Sequence, residues 1–187
     1  AGLAGSARSN GAAFADIDTD LPYVTSGLGA RGHDATVVSW DAATDWSAYD
    51  GVVIRSTWDY AERREEFLAW IDGLPRVVNA PEVVRWNTDK RYLRNLEERG
   101  IPIVPTTWVE PGDAWEPAEE GESVIKPAVS ISSRDTGRYR TVDPEHRRLA
   151  REHVRRLLGE GRSVMVQPLS LTSQSTRLAK KPLPSSA

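Results

Sequence analysis

Apolar positions along the chain change their spacing several times, and each change marks an element. Between residues 18 and 32, Leu21, Val24 and Leu28 recur at helical spacing, with Pro22 suited to a first turn and Gly32 to a stop. Residues 35–40 (ATVVSW) and 51–55 (GVVIR) are short apolar runs of buried-strand type. Residues 60–74 carry Phe67, Leu68, Trp70 and Ile71 on an otherwise charged stretch, which predicts a helix, and 76–79 (RVVN) reads as a further strand. Strand and helix alternate, so the first half predicts a parallel sheet with crossover helices. Residues 1–11 are small and polar and show no period.

The second half opens near Pro81. Residues 88–99 (TDKRYLRNLEER) read as one helix ending at Gly100, and 104–109 as a strand. An acidic loop with Pro and Gly follows over 111–120. Residues 123–126 (SVIK) form a strand that runs into a loop of small residues up to Gly137. A basic helix over 144–158 and a strand over 163–167 (SVMVQ) complete the pattern. From Leu169 onward no period is visible, and the chain holds no internal repeat. The fold class expected is α/β: a doubly wound parallel-sheet domain, then the first part of an α+β domain.

Composition narrows the class. Hydrophobic residues make up 39% and charged residues 27% of the 187 positions, the balance of a globular chain. No apolar run approaches the ~18 residues that a membrane span needs. There is no cysteine, which excludes disulfides and thiolate metal sites. The expected location is cytoplasmic. A net charge of -3 gives no electrostatic footprint for a nucleic acid. Neither nucleic acid nor membrane is expected as a partner.

Four segments carry candidate chemistry. Arg55, Ser56, Thr57, Trp58 and Asp59 stand where an apolar strand meets a helix, the end of a parallel sheet at which ligands bind. Arg55 suits a substrate carboxylate, which it would meet with two parallel hydrogen bonds. Read structurally, the same segment is a turn with Asp59 capping the helix and Trp58 packed beneath it. In 86–93 (WNTDKRYL), Thr88 or Asp89 suits an N-cap, which places Lys90 in a first turn, where a bound anion would offset the helix dipole. Lys126 ends a strand before short side chains, including Ser132 and Ser133, whose loop lets backbone N–H groups approach phosphate oxygens. Gln167, Pro168 and Leu169 end a buried strand that offers backbone groups to an adenine edge. The histidines His33, His146 and His153 form no metal pattern, and the two on the basic helix read as solvated. Trp40, Trp46, Trp70 and Trp108 read as packing, and the charged run 62–66 as a solvated face.

Taken in order, IRSTWDY, the stretch from VVNAPEVVRW to GIPIVPT, VIKP with its small-residue loop, and VMVQP resemble the ATP-grasp superfamily. The likeness is to the bacterial branch of cycloserine-forming ligases and glutathione-synthetase-like proteins, and it runs over residues 12–168. It implies a pre-ATP-grasp domain over 1–80, an incomplete ATP-grasp domain over 81–168 and an irregular tail over 169–187. It implies ATP as cofactor, with Lys90 and Lys126 on the phosphates, the loop of Ser132 and Ser133 closing over them, and Gln167, Pro168 and Leu169 at the adenine. Residues 55–59 would face small-molecule carboxylate and amine substrates. The implied reaction is acyl phosphate formation followed by amide formation. Mg2+ belongs to the family, but its ligands are expected to lie outside this chain, which leads to an expectation of no turnover. The tail, which has no Asp or Glu, is expected to be a reading-frame artefact. Two other readings stay open: a non-catalytic nucleotide-binding or interaction module, and an unrelated doubly wound binding protein.

Overall fold

A computed structural model of the chain describes residues 2–5 and 18–169. Everything expected of the tail beyond Leu169 lies outside the described residues. The chain divides into two compact units, residues 1–90 and 91–187.

The first unit is built on a parallel sheet. Strands β1 (Gly2–Gly5), β2 (Thr36–Ser39) and β3 (Val52–Ile54) pair in the order β2-β1-β3. β1 falls in the segment whose small residues gave no period; its backbone ladder to Thr36–Ser39 and Val52–Ile54 supplies what side-chain pattern does not. Helix α1 (Leu21–Gly29) has Pro22 in its first turn and follows the expected spacing. Helix α2 (Arg64–Asp72) buries Phe67, Leu68 and Ile71 and is shorter than the 60–74 expected. These pack with Trp40 in one core, while Val52 and Leu74 form a second, smaller one. The expected strand at 76–79 is reduced to one parallel bridge, Val52 to Val77.

Helix α3 (Pro81–Asn87) ends that unit and α4 (Tyr92–Glu98) opens the next. The helix expected over 88–99 is therefore shorter, α4 alone, and 88–91 form a turn that separates it from α3. Thr88 stands at the carboxyl end of α3, where its hydroxyl donates to the Arg85 carbonyl at 2.9 Å. It closes one helix instead of starting another, and Lys90 lies in the break, not in a first turn.

The second unit is an antiparallel sheet in the order β4-β7-β5-β6, from β4 (Thr107–Val109), β5 (Glu122–Pro127), β6 (Gly137–Arg140) and β7 (Val164–Pro168). Helix α5 (Pro144–Gly159) covers one face, capped by Asp143, whose side chain accepts from the Glu145 N–H. Ala150, Val154 and Leu157 of α5 pack on Val109, Ile125, Val164 and Val166. Strand side chains alternate between faces, so Val124, Lys126, Met165 and Gln167 belong to the opposite face. Among the described residues no helix is long and apolar enough to cross a membrane.

Candidate functional site

The order β2-β1-β3 puts a switch point between β1 and β3, where the chain departs to either side. The residues that follow β3 stand there. Arg55 donates from Nε and Nη2 to the two carboxylate oxygens of Asp18, at 2.7 and 2.9 Å. Ser56 Oγ adds a third bond to Asp18 at 2.5 Å, and the Asp20 N–H a fourth at 3.1 Å. Asp18 is only 5% exposed. The Arg55 bonds hold its carboxyl down to a pKa of about 2, against the burial that pushes it up. Ser56 takes a left-handed backbone (φ 54°), a conformation that costs a residue with a Cβ about 1–2 kcal/mol and is sustained here by its place in the network.

This geometry changes the expected part of Arg55. Its Nε–Nη2 edge is engaged by Asp18, and Nη1 alone has no hydrogen-bond partner among the described residues. A substrate carboxylate would meet that remaining edge. Thr57 is buried, and Trp58 is partly exposed instead of packed beneath the turn. Asp59 does not cap α2, whose N-cap is Arg63; its carboxylate accepts from Trp40 Nε1 at 3.0 Å. Arg63 in turn bonds Asp41 at 2.7 Å and stacks 4.5 Å over the Trp40 ring, so the 62–66 run is more than a solvated face.

In the second unit Lys126 and Gln167 share the sheet face opposite α5, with Lys126 opposite Met165 and Gln167 opposite Val124. Lys126 is half-buried and has no hydrogen-bond or ion-pair partner among the described residues. Burial alone moves its pKa, downward. Gln167 donates from Nε2 to Thr106 Oγ1 at 2.8 Å, and the Leu169 N–H donates to the Glu122 carbonyl at 2.8 Å. Pro168 has no N–H, so the donors of this segment are largely taken by its own sheet.

The loop between β5 and β6 is held at both ends. The Ala128 N–H donates to the Ser163 carbonyl, and Asp135 pairs with Arg156 at 3.0 Å and Arg162 at 2.6 Å. The Arg162 bond, first among its causes, lowers the Asp135 pKa. Between these anchors Ser132 and Ser133 are exposed and left-handed (φ 51° and 58°), and the partly buried Asp135 is left-handed too (φ 52°). Behind the loop, Tyr139 Oη and His153 Nδ1 are 2.9 Å apart. His153 is thus not solvated: burial lowers its pKa and raises that of Tyr139.

Asp18 is the site residue that sequence reasoning misses; its partner lies 37 positions away, and only its place just before a Pro-led helix hints at a role. Lys90 belongs to the first unit and Lys126 to the second. No group of three His, Asp or Glu among the described residues is placed to hold a metal ion.

A family model described as the D-cycloserine synthetase DcsG, N-terminal domain, matches residues 2–79. The cycloserine biosynthesis protein DcsG of Streptomyces lavendulae is 39% identical over 166 residues, which is 81% of this chain and 54% of that protein. The crystal structure of D-cycloserine synthetase DcsG superposes with a TM-score of 0.75 at 34% identity, over 89% of this chain and 58% of that one. A RimK domain ATP-grasp protein from Sphaerobacter thermophilus shares the fold at 19% identity, with a TM-score of 0.60, over 91% of this chain and 64% of that one. The chain spans about half the length of the curated relative it matches, 54%. Over the part it covers, the chain is similar to the cycloserine biosynthesis protein DcsG and shares the fold of the ATP-grasp protein on which it superposes.

Proposed function

We propose that this chain supplies the substrate-facing and much of the nucleotide-binding part of an ATP-dependent ligase, which joins a small carboxylate to an amine through an acyl phosphate. The observation that carries the reading is Lys126, a half-buried ammonium whose desolvation no partner among the described residues offsets. Such a group is stabilised by an anion, and a triphosphate supplies one. Its sheet face also carries Gln167.

In this reading Lys126 and Lys90 bind phosphate oxygens and stabilise the charge that develops in phosphoryl transfer. The exposed backbone at Ser132 and Ser133 closes over the phosphates, and the segment of Gln167, Pro168 and Leu169 borders the adenine. Arg55 orients a carboxylate through Nη1 while Asp18 fixes its plane. Thr57 and its neighbours face the rest of the substrate, and a cytoplasmic location suits a reaction that draws on ATP. Mg2+, expected for such a ligase, would supply positive charge to the phosphates when bound; no group of three His, Asp or Glu among the described residues is placed to hold it.

Titration of the purified chain with ATP, followed by calorimetry, tests the reading. The Lys126→Met variant keeps the side-chain length and removes the charge. It is expected to bind ATP at least tenfold more weakly and to unfold no earlier than the parent, because a desolvated charge has gone. Equal affinity in parent and variant would overturn the assignment.

A further inference from the structure

The loop between β5 and β6 ends on a cluster that the proposed function leaves unused. Its tip folds as two overlapping turns, closed by the Arg134 N–H on the Ile131 carbonyl at 3.0 Å and the Thr136 N–H on the Ser133 carbonyl at 3.1 Å. Ser132, Ser133 and Asp135 are left-handed, and such backbone persists only where its surroundings hold it. What holds it is α5 and the residues just after it. Asp135 bonds Arg156 and Arg162, and both guanidiniums also bond Glu160, at 2.9 and 3.2 Å. Past the turns, Gly137 leaves room for the Tyr139 ring, whose Oη meets His153 Nδ1 at 2.9 Å. The His153 ring also meets the backbone of Asp135.

The chemistry of this cluster depends on one proton. The backbone contact at Asp135 favours the protonated ring, as a carbonyl acceptor does. It draws the single N–H of the neutral imidazole to that side and leaves Nδ1 bare, to accept from the Tyr139 hydroxyl. A second proton removes that acceptor, and Tyr139 must turn its own hydrogen away. It also adds a charge where charges are balanced. Arg156 and Arg162 face Asp135 and Glu160, two cations against two carboxylates, and the protonated ring would be a third cation. The other titratable groups packed here are Tyr139 and, 6.5 Å from its ring, His146, whose Nδ1 accepts the Arg140 N–H; neither supplies a negative charge. Burial and both arginines oppose the charged ring.

We propose that His153 is a positioning residue and a proton switch for this loop. Neutral, it ties Tyr139 to the Asp135 backbone and fixes the later part of the loop, residues 132–137. Protonated, it lets that part go. The link to a nucleotide rests on the proposed function above, in which the loop closes over phosphates; the response of the loop to the proton does not. Binding of a nucleoside triphosphate is then weaker in acid, because a released loop must be ordered again at the moment of binding.

The test follows the backbone amides of Thr136 and Gly137 in the 15N-labelled 187-residue chain from pH 8 to pH 5, and ATP binding by calorimetry at pH 7.5 and pH 5.5. In the parent both amides are expected to move along one titration curve, with its midpoint below the ordinary histidine value of 6.5. They should stay still in His153→Gln, which keeps a donor and an acceptor and takes no proton. Protonation of ATP itself is common to both proteins and cancels between them. The loss of affinity from pH 7.5 to pH 5.5 should be about fivefold greater in the parent than in His153→Gln. If that variant does not fold, Tyr139→Phe, which removes the hydroxyl tie, must show the same smaller loss. Amides that do not titrate, or that titrate alike in His153→Gln, would overturn the proposal. So would an equal loss of ATP affinity in both proteins with only the melting temperature changed, the mark of a purely structural part. Amide titration without ATP binding at either pH sustains the switch and sinks the ligase reading; ATP binding with unmoved amides sinks the switch alone.

Discussion

A carboxylate that accepts two guanidinium N–H bonds, a hydroxyl and a backbone N–H has little tendency to take up a proton, and Asp18 is held in that way. Its pKa of about 2 lies below the ordinary 3.8 of an aspartate. The stabilisation is therefore fully present above pH 4 and is lost as pH falls towards 2. Asp18→Asn keeps the shape and removes the charge. Because Arg55 is partly solvated, the loss at pH 7 should be on the order of 2 kcal/mol, less than for a fully buried pair. Urea midpoints for parent and variant should differ at pH 7 and converge near pH 2; a difference independent of pH would show that charge is not what Asp18 contributes. Lys126 and Gln167 are legible in the sequence because each ends a visible apolar strand. Asp18 is not, because a contact across 37 positions leaves no local pattern, and the same distance hides how Arg55 is engaged.

Strand β6 shows what escapes pattern reading at the level of elements. GRYR has no apolar run; it is a strand because Tyr139 turns inward to His153 while Arg138 and Arg140 turn outward to Glu122. Its first residue is a glycine for a steric reason: a Cβ at Gly137 would stand 2.5 Å from Tyr139 Oη and within 2.7 Å of the ring. Gly137→Ala must push that ring off its bond to His153, at a cost of about 1–3 kcal/mol in unfolding free energy. In a Tyr139→Ala background the same change should cost little, and an undiminished penalty there would locate the strain elsewhere. The break between α3 and α4 is invisible for another reason. The stretch 88–99 has helical composition, but Pro81 is a strong starting residue, and the helix it starts ends when the Thr88 hydroxyl takes the Arg85 carbonyl.

For the whole molecule, the alternation of strands and helices was enough to reach a parallel sheet followed by an α+β unit, since period and order survive without any knowledge of partners. The response to acid is a property of the same scale. Burial lowers the pKa of His153, so the unfolded chain takes up its proton near the ordinary 6.5 while the folded one resists. Stability should decline as pH falls below 6.5, and decline again below 4 as Asp18, Asp41 and Asp135, all lowered by their hydrogen bonds, are protonated. Melting temperatures from pH 8 to pH 2.5 should show two stages, and His153→Gln should abolish the first; a single stage in the parent would refute the role given to His153. The aromatic cluster of the first unit adds a property of a different kind. Trp70 lies 5.8 Å from Trp40 and 5.4 Å from Trp46, centroid to centroid. Indole transitions at that spacing couple into exciton states, whereas Trp108 and Trp115, in the other unit, belong to separate surroundings. The near-ultraviolet circular dichroism of the chain is thus an optical label for residues 1–90, written into the core by the packing itself.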